Sequence, residues 1–361
     1  MTLLLSNDDV DRLLNMEDVL GSLESAYREL GEGTALNTPR VDLLVRGPKP
    51  NSVYGFKTMS GSVPGAGVAG VRLNSDIVHW PEIGRSQRRV KIPSAPGNRY
   101  VGLVLLFSTH TGEPLAIFPD GCLQRLRVGA TNGLGAKYLA RQDASVVALF
   151  GSGWQAAAQL MAMCAVRKIE KIRVFSPTAA NRKAFAEEME KTLKVEVRAV
   201  DGAEQAVKGS HIVAAATNSV DPVLMPQWIE PGMHLSTIRH SEIDGATLKK
   251  CDVLAIHHRN LAVGIAQKGL ETEVPEMEHG DYGRPDLLEL GIDWNGLPEL
   301  SDLAVGRGPK RRDNQEVTCF LNPIGFGMQF AAVGARLVEK AKNAGAGKEL
   351  PTDWFTETVH P

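Results

Sequence analysis

Cysteine is sparse and scattered. The four in this 361-residue chain, Cys122, Cys164, Cys251 and Cys319, form no pair at zinc-finger or dithiol spacing. That argues against a disulfide framework or a thiolate metal site, and the expectation is reduced, buried thiols of a cytoplasmic protein. Charge of one sign is equally lacking: 40 Lys and Arg against 42 Asp and Glu leave a net charge of -2. Neither nucleic acid nor an anionic membrane is an expected partner of so balanced a chain. No stretch approaches the ~18 uninterrupted apolar residues of a membrane span. The opening MTLLLSNDDVDRLL turns acidic after a few apolar residues, so it does not read as a signal peptide. Internal repeats and low-complexity segments are absent as well. What is present is 43% hydrophobic and 23% charged residues, an ordinary globular composition, with length enough for two domains.

Residues 7 to 33 read as two helices, with Asn7 or Asp8 capping the first and Gly31 and Gly33 ending the second. Short strand-like runs follow, VDLLV, SVYGFKTMS, GVAGVRLNS and YVGLVLLFS, and LVLLFSTHTGEPLAIF reads as a hairpin. The first third is therefore a mixed domain around an antiparallel sheet. From Gln124 to Arg141 the pattern is helical, and the rhythm then becomes strand, glycine turn, helix, strand. Strand candidates lie at 145–150, 171–175, 195–200, 211–217, 233–238 and 252–256. Strands apolar on both faces and alternating with helices predict a Rossmann-type, doubly wound parallel sheet. The segment from Val317 to Lys342 reads as one small-residue helix packing back on the N-terminal domain.

The stretch LFGSGWQAAAQL supplies the first chemical signal. Gly151 follows a strand, Gly153 opens a helix and Ala156 takes the third small position, the G-x-G-x-x-A pattern of a dinucleotide turn. One glycine permits the bend, the next lets backbone approach a pyrophosphate, and the alanine lets the helix pack closely on the sheet. The bland alternative is a tight structural turn. The expected coenzyme contacts are Gly151, Ser152, Gly153, Trp154 and Gln155 here, Ser176, Thr178 and Arg182 after the second strand, and Ala216, Thr217 and Asn218 after the fourth. Where an NAD-binding carboxylate would stand, the chain has Ser176, with Arg182 and Lys183 close behind. NADP(H) is thus favoured over NAD(H), unless those two cations are only a solvated helix start.

Several stretches together resemble the ornithine cyclodeaminase/mu-crystallin family. These are LSNDDVDRLLNMEDVLGSLESAYRELGEGTALNTPR, GFKTMS, LLFSTHTGEPLAIFPDG, LQRLRVGATNGLGAKYLA, FGSGWQAAAQ, ATNSVDPVLMPQWIEPGMHLSTI and VTCFLNPIGFGMQFAAVGARL, in the family's order over residues 5 to 342. The resemblance implies a discontinuous substrate-binding and dimerisation domain, residues 1–123 with 318–361. Into it would be inserted a dinucleotide-binding domain, residues 124–317, and the substrate domains would form a homodimer. It also implies that Arg40, Lys57 and Arg127 bind the carboxylate of an amino or imino acid next to the nicotinamide, with Lys57 relaying a proton. The residue types suit those roles. A guanidinium grips a carboxylate bidentately, and a lysine among apolar neighbours needs a partner or loses its proton. Arg72 could face the same site. For each cation the alternative is an internal salt bridge.

The implied activity is an NAD(P)H-dependent oxidoreductase interconverting an imino acid, or ketimine, and an amino acid. Two further readings belong to the same family: an ammonia lyase of the cyclodeaminase type that recycles its NAD, and a non-catalytic NADPH binder like mu-crystallin. The chain departs from the cyclodeaminases after the fifth strand. There Arg239-His240-Ser241-Glu242-Ile243-Asp244 replaces the loop carrying their catalytic aspartate, and Gln329-Phe330 replaces a Glu-Asp pair near the end. An unusually long connection holds Arg85, Arg88, Arg89, Lys91 and Arg99 against Glu82; it is either a lid attracting an acidic substrate or a surface loop. His257-His258-Arg259, after the last parallel strand, either flanks the nicotinamide pocket or holds a satisfied pair of histidines. The stretch 271–286, with His279 and Tyr282, has no recurrent ligand spacing, and no metal is expected.

Overall fold

In the computed structural model the described residues are 1–83, 86–87, 90–219, 221–260, 263–268, 270 and 290–359. Arg85, Arg88 and Arg89 of the basic connection, and the stretch 271–286, lie outside them. The chain divides into two compact units. One comprises Met1–Arg127, Asn260–Tyr282 and Phe326–Pro361; the other comprises Val128–Arg259 and Gly283–Gly325.

The first unit opens with a short strand, Thr2–Leu4, and two helices. Ser6 and Asp9 cap helix Asn7–Leu13 reciprocally, and Asn15 caps helix Met16–Glu32, which ends where Gly33 turns left-handed. Val19, Leu20, Leu23, Ala26 and Tyr27 form the buried stripe of the second helix. The unit's sheet runs in the order Val263–Gln267, Arg40–Arg46, Ser52–Val63, Val68–His79, Val101–Ser108, Pro114–Pro119, Thr2–Leu4 and Lys348–Leu350. Its centre is antiparallel, as the alternating burial of Val68–His79 suggests. Helix Gly327–Ala344 crosses the long hairpin so closely that a Cβ on Gly61 would lie 2.3 Å from the Met328 nitrogen.

The second unit is a seven-stranded sheet in the order Glu196–Ala199, Lys171–Phe175, Val146–Phe150, Ile212–Ala215, His234–Thr237, Thr318–Leu321 and Val253–Ile256. Every pairing is parallel. Strand residues alternate between two cores. Val147 and Leu149 face Ala156, Leu160 and Phe185, whereas Ala148 and Phe150 face Leu235, Leu248 and Leu321. A sheet buried on both faces explains the unbroken apolar run SVVALF.

Three sequence expectations differ from the structure. Residues 317–342 are not one helix: Thr318–Leu321 is a strand inserted between His234–Thr237 and Val253–Ile256, and the helix starts at Gly327. Four residues, Thr-Cys-Phe-Leu, are too few to carry a periodicity that separates a buried strand from a helical turn. The expected junctions after 123 and 317 shift accordingly, to Arg127 and Gly325. Residues 263–267, inside the bounds expected for the dinucleotide-binding part, form a strand that pairs with Arg40–Arg46 in the first unit.

Candidate functional site

In the second unit the chain runs from Val146–Phe150 outward to one edge and then returns to Ile212–Ala215 on the other side, so the crevice at this reversal lies beyond Phe150 and Ala215. Gly151 makes the bend with φ +111°, and a Cβ there would lie 2.3 Å from the Ala216 carbonyl oxygen. No other residue type fits both demands. Gly153 is the N-cap of helix Trp154–Val166 and gives it no side-chain capping bond, and a Cβ at Gly153 would meet nothing within 4 Å. The first-turn amides therefore open onto free space, the arrangement that receives a pyrophosphate. Ala156 is buried against the sheet, Trp154 is half-exposed, and among the described residues the buried Gln155 Oε1 has no hydrogen-bond partner. An orphaned acceptor beside open amides fits a polar ligand.

Ser176 ends the second strand, its hydroxyl 2.9 Å from that of Ser152. Thr178 is the N-cap of helix Ala179–Leu193 without a side-chain capping bond. Arg182 departs from its expected place. Its guanidinium is buried, donates to the carbonyls of Ser176 (3.2 Å) and Pro177 (3.5 Å), and pairs with Asp201. Spacing put a cation near the ribose; the fold turned it inward to cap a strand end.

Sequence reasoning missed Glu242. This fully buried carboxylate accepts hydrogen bonds from the Thr217 amide (2.6 Å) and hydroxyl (3.0 Å) and from the amides of Ile238 (2.8 Å) and Arg239 (3.0 Å). Burial pushes its pKa up, opposed by those donors. It ties the Ala216-Thr217-Asn218 turn to the end of the neighbouring strand. An acidic residue four positions past an apolar strand was the only available hint. His257 is buried with Nδ1 2.6 Å from the Ile324 carbonyl, and His258 lies 2.9 Å from Glu299. Burial opposes ionisation of Glu299, but His258 and the Arg259 amide draw its pKa down to about 2. Each histidine thus has a contact for one ring nitrogen. A cavity of about 680 Å³ lies at the opposite end of the parallel strands, lined by Lys137, Arg141 and Arg311 among others. Arg311 spends its donors there on the Leu139, Met233 and Glu316 carbonyls.

In the first unit a polar band crosses the sheet face that holds Lys57. Asp42, Lys57 and Asn74 are register partners on three adjacent strands, so they share that face. Arg40 grips Asp42 through Nε (2.7 Å) and Nη2 (2.5 Å), and Arg72 grips Asp120 at 2.7 Å. The Lys57 ammonium lies 3.9 Å from Asp76, and only 7% of its side chain is exposed. Arg127, on helix Gly121–Leu139, is held by amide oxygens: Gln124 Oε1 at 2.8 Å and Gln329 Oε1 at 3.0 Å. Gln329 is in turn fixed by the Phe326 amide and the Tyr27 hydroxyl. Phe330 offers its ring to both guanidinia, at 5.3 Å from Arg127 and 5.6 Å from Arg72. Burial, then Arg72, lowers the pKa of Arg127 to about 9. An arriving carboxylate would relieve that cost. So the structure gathers Arg40, Lys57, Arg72 and Arg127 in one unit, and resolves Arg40 and Arg72 as members of internal ion pairs. Among the described residues, no group of three or more His, Cys, Asp or Glu side chains could hold a metal ion.

The model of the ornithine cyclodeaminase/mu-crystallin family matches residues 1–345. The chain belongs to this family. Among relatives of this ornithine cyclodeaminase/mu-crystallin protein, a Delta(1)-pyrroline-2-carboxylate reductase of Bacillus cereus is 25% identical, covering 96% of this chain and 99% of its own. The structure of Thermococcus litoralis Delta(1)-pyrroline-2-carboxylate reductase, in complex with NADH and L-proline, superposes with a TM-score of 0.77 at 28% identity, covering 97% of this chain and all of the other. An archaeal alanine dehydrogenase dimer with bound NAD also gives 0.77, at 25% identity, covering 97% and 99%. Their shared fold is the α/β one described above.

Proposed function

We propose that the chain is a nicotinamide-dependent oxidoreductase that interconverts an imino acid, or ketimine, and an amino acid. The observation that carries this reading is that Lys57 and Arg127 are both buried in one unit, in a chain whose other unit holds a coenzyme-type glycine turn. Relatives that reduce pyrroline-2-carboxylate or are alanine dehydrogenases support it. When bound, the coenzyme supplies a hydride to the imine carbon; the C=N π pair moves to nitrogen, which takes a proton. Arg127, held by two glutamines, grips the substrate carboxylate with its guanidinium. Lys57 hydrogen-bonds the substrate and relays the proton to nitrogen. Asp76 keeps that ammonium in place, and Arg40 and Arg72 are spent on Asp42 and Asp120, so the carboxylate-binding role falls to Arg127. Glu242 holds the Thr217 turn against which the coenzyme rests. A lyase is less well supported, because Asp244, the aspartate nearest the altered loop, is spent capping helix Gly245–Leu248 through the Thr247 amide at 2.7 Å.

Assays of 2-oxo acids with ammonia or methylamine, and of cyclic imines, test the reading. Oxidation of NADPH or NADH by at least one of them is expected. Ammonia release from ornithine with no net coenzyme change would establish the lyase instead, and coenzyme binding without turnover would establish a binder.

NADP(H) is favoured over NAD(H), since Ser176 places no carboxylate where a 2′-phosphate would lie. With Arg182 tied to Asp201, that preference rests on missing repulsion rather than on a dedicated cation. Ser176→Asp is expected to lower kcat/KM with NADPH at least about tenfold while sparing NADH. Equal effects on both would remove the basis for the preference.

A homodimer fits the outer sheet face, opposite Lys57. Val41 and Leu103, and Leu43 and Val101, lie in the same cross-strand rows and are exposed. A contiguous apolar face of this kind calls for a cover. Sedimentation is expected to show a dimer that Leu43→Glu dissociates. The cytoplasm suits the four free thiols. Among the described residues, no helix is long and apolar enough to cross a membrane.

A further inference from the structure

The long connection between strands Val68–His79 and Val101–Ser108 brings a cation of its own to the polar band. Its strand Val90–Ile92 pairs antiparallel with the end of Val68–His79, Lys91 opposite Val78. Cross-strand partners share a face, and residues two apart on a strand do too. Lys91 therefore stands on the face of Asp76 and Asn74, and through the Asn74–Lys57 pairing on the face of Lys57. The contacts agree. The Lys91 ammonium lies 2.6 Å from Asp76 Oδ2 and 3.4 Å from Asn74 Oδ1, while that of Lys57 lies 3.9 Å from Asp76 Oδ1. One buried carboxylate thus holds two ammonium groups side by side, and the outer one keeps 38% of its side chain exposed.

We infer that Lys91 is a specificity-determining residue that receives the second carboxylate of the substrate, so that the preferred substrates are imines of 2-oxo dicarboxylic acids. The inference rests on the imine-reductase reading and on Lys57 touching the substrate. Because Lys57 and Lys91 meet the two oxygens of one carboxylate, a ligand that Lys57 holds at its reacting end has the second ammonium next to it. Lysine is a flexible point charge that normally loses much rotamer freedom on binding. Here Asp76 and Asn74 have already restricted it. A monocarboxylic substrate would leave Lys91 facing water and gain nothing from it.

The test is the ratio of kcat/KM for oxaloacetate or 2-oxoglutarate to that for pyruvate, each with ammonia, in wild type and Lys91 variants. The wild-type ratio is expected to exceed about ten. Lys91→Ala should lower it about tenfold to thirtyfold, as expected for one lost charge-assisted hydrogen bond. Lys91→Arg should retain most of it, and Lys91→Glu should invert it. A ratio that Lys91→Ala and Lys91→Gln leave unchanged, or equal loss on both kinds of acid, would overturn the inference while leaving imine reduction intact. No coenzyme oxidation with any oxo acid, amine or cyclic imine would overturn both.

Discussion

Lys57→Ala is expected to reduce kcat/KM for imine reduction by about a thousandfold, roughly 4 kcal/mol of transition-state stabilisation, while coenzyme affinity changes less than about twofold. The size of the effect follows from location. An ammonium with 7% of its side chain exposed, held 3.9 Å from Asp76, acts where water does not screen it. As hydride reaches carbon, negative charge develops at nitrogen, so a cation there favours the transition state over the ground state. Removing the lysine also leaves Asp76 with Lys91 as its remaining cationic contact among those described above, which costs stability. Steady-state kinetics beside fluorescence titration of NADPH separates these effects. Parallel loss of turnover and coenzyme binding would make Lys57 a structural residue.

Gly151→Val is expected to weaken coenzyme binding at least about a hundredfold with either NADPH or NADH. The backbone at φ +111° lies where L side chains cost about 1–3 kcal/mol. In addition, the first side-chain carbon would sit 2.3 Å from the Ala216 oxygen. Relief requires the bend to open, which would turn the first-turn amides of helix Trp154–Val166 away from where the proposed coenzyme's pyrophosphate would lie. The strands on either side pair along Val146–Phe150, and Gly151 adds one further bond, from its amide to the Phe175 carbonyl at 2.9 Å. Circular dichroism is therefore expected to remain close to wild type. Undiminished binding of both coenzymes would show that this turn does not seat the nucleotide.

Chain-local chemistry was legible without coordinates. Gly151, Gly153 and Ala156 mark a tight strand-to-helix turn of dinucleotide-binding type because backbone freedom and small size are properties of single residues. Alternating burial in GVAGVRLNS marks a half-covered strand, and unbroken apolarity in SVVALF marks a doubly covered one, because each pattern records the two faces of one strand. The resemblance supplied Arg40, Lys57 and Arg127, and the fold brings them into one unit. Which partner each side chain takes was not legible. Arg182 lies 19 residues from Asp201, Arg72 lies 48 from Asp120, and Arg127 lies 202 from Gln329. No periodicity encodes such pairs; they depend on how strands stack across the whole domain.

The sequence by itself therefore determined the glycine turn of dinucleotide-binding type, the doubly wound class and the cations Arg40, Lys57, Arg72 and Arg127 of the first unit. Tertiary structure alone decided three things: that Thr318–Leu321 completes the parallel sheet, that Glu242 braces the Thr217 turn, and that Lys91 stands beside Lys57 on Asp76. The reason is physical. A glycine's dihedral freedom belongs to one residue, whereas a buried ion pair or a strand neighbour exists only after distant segments have closed the loops between them.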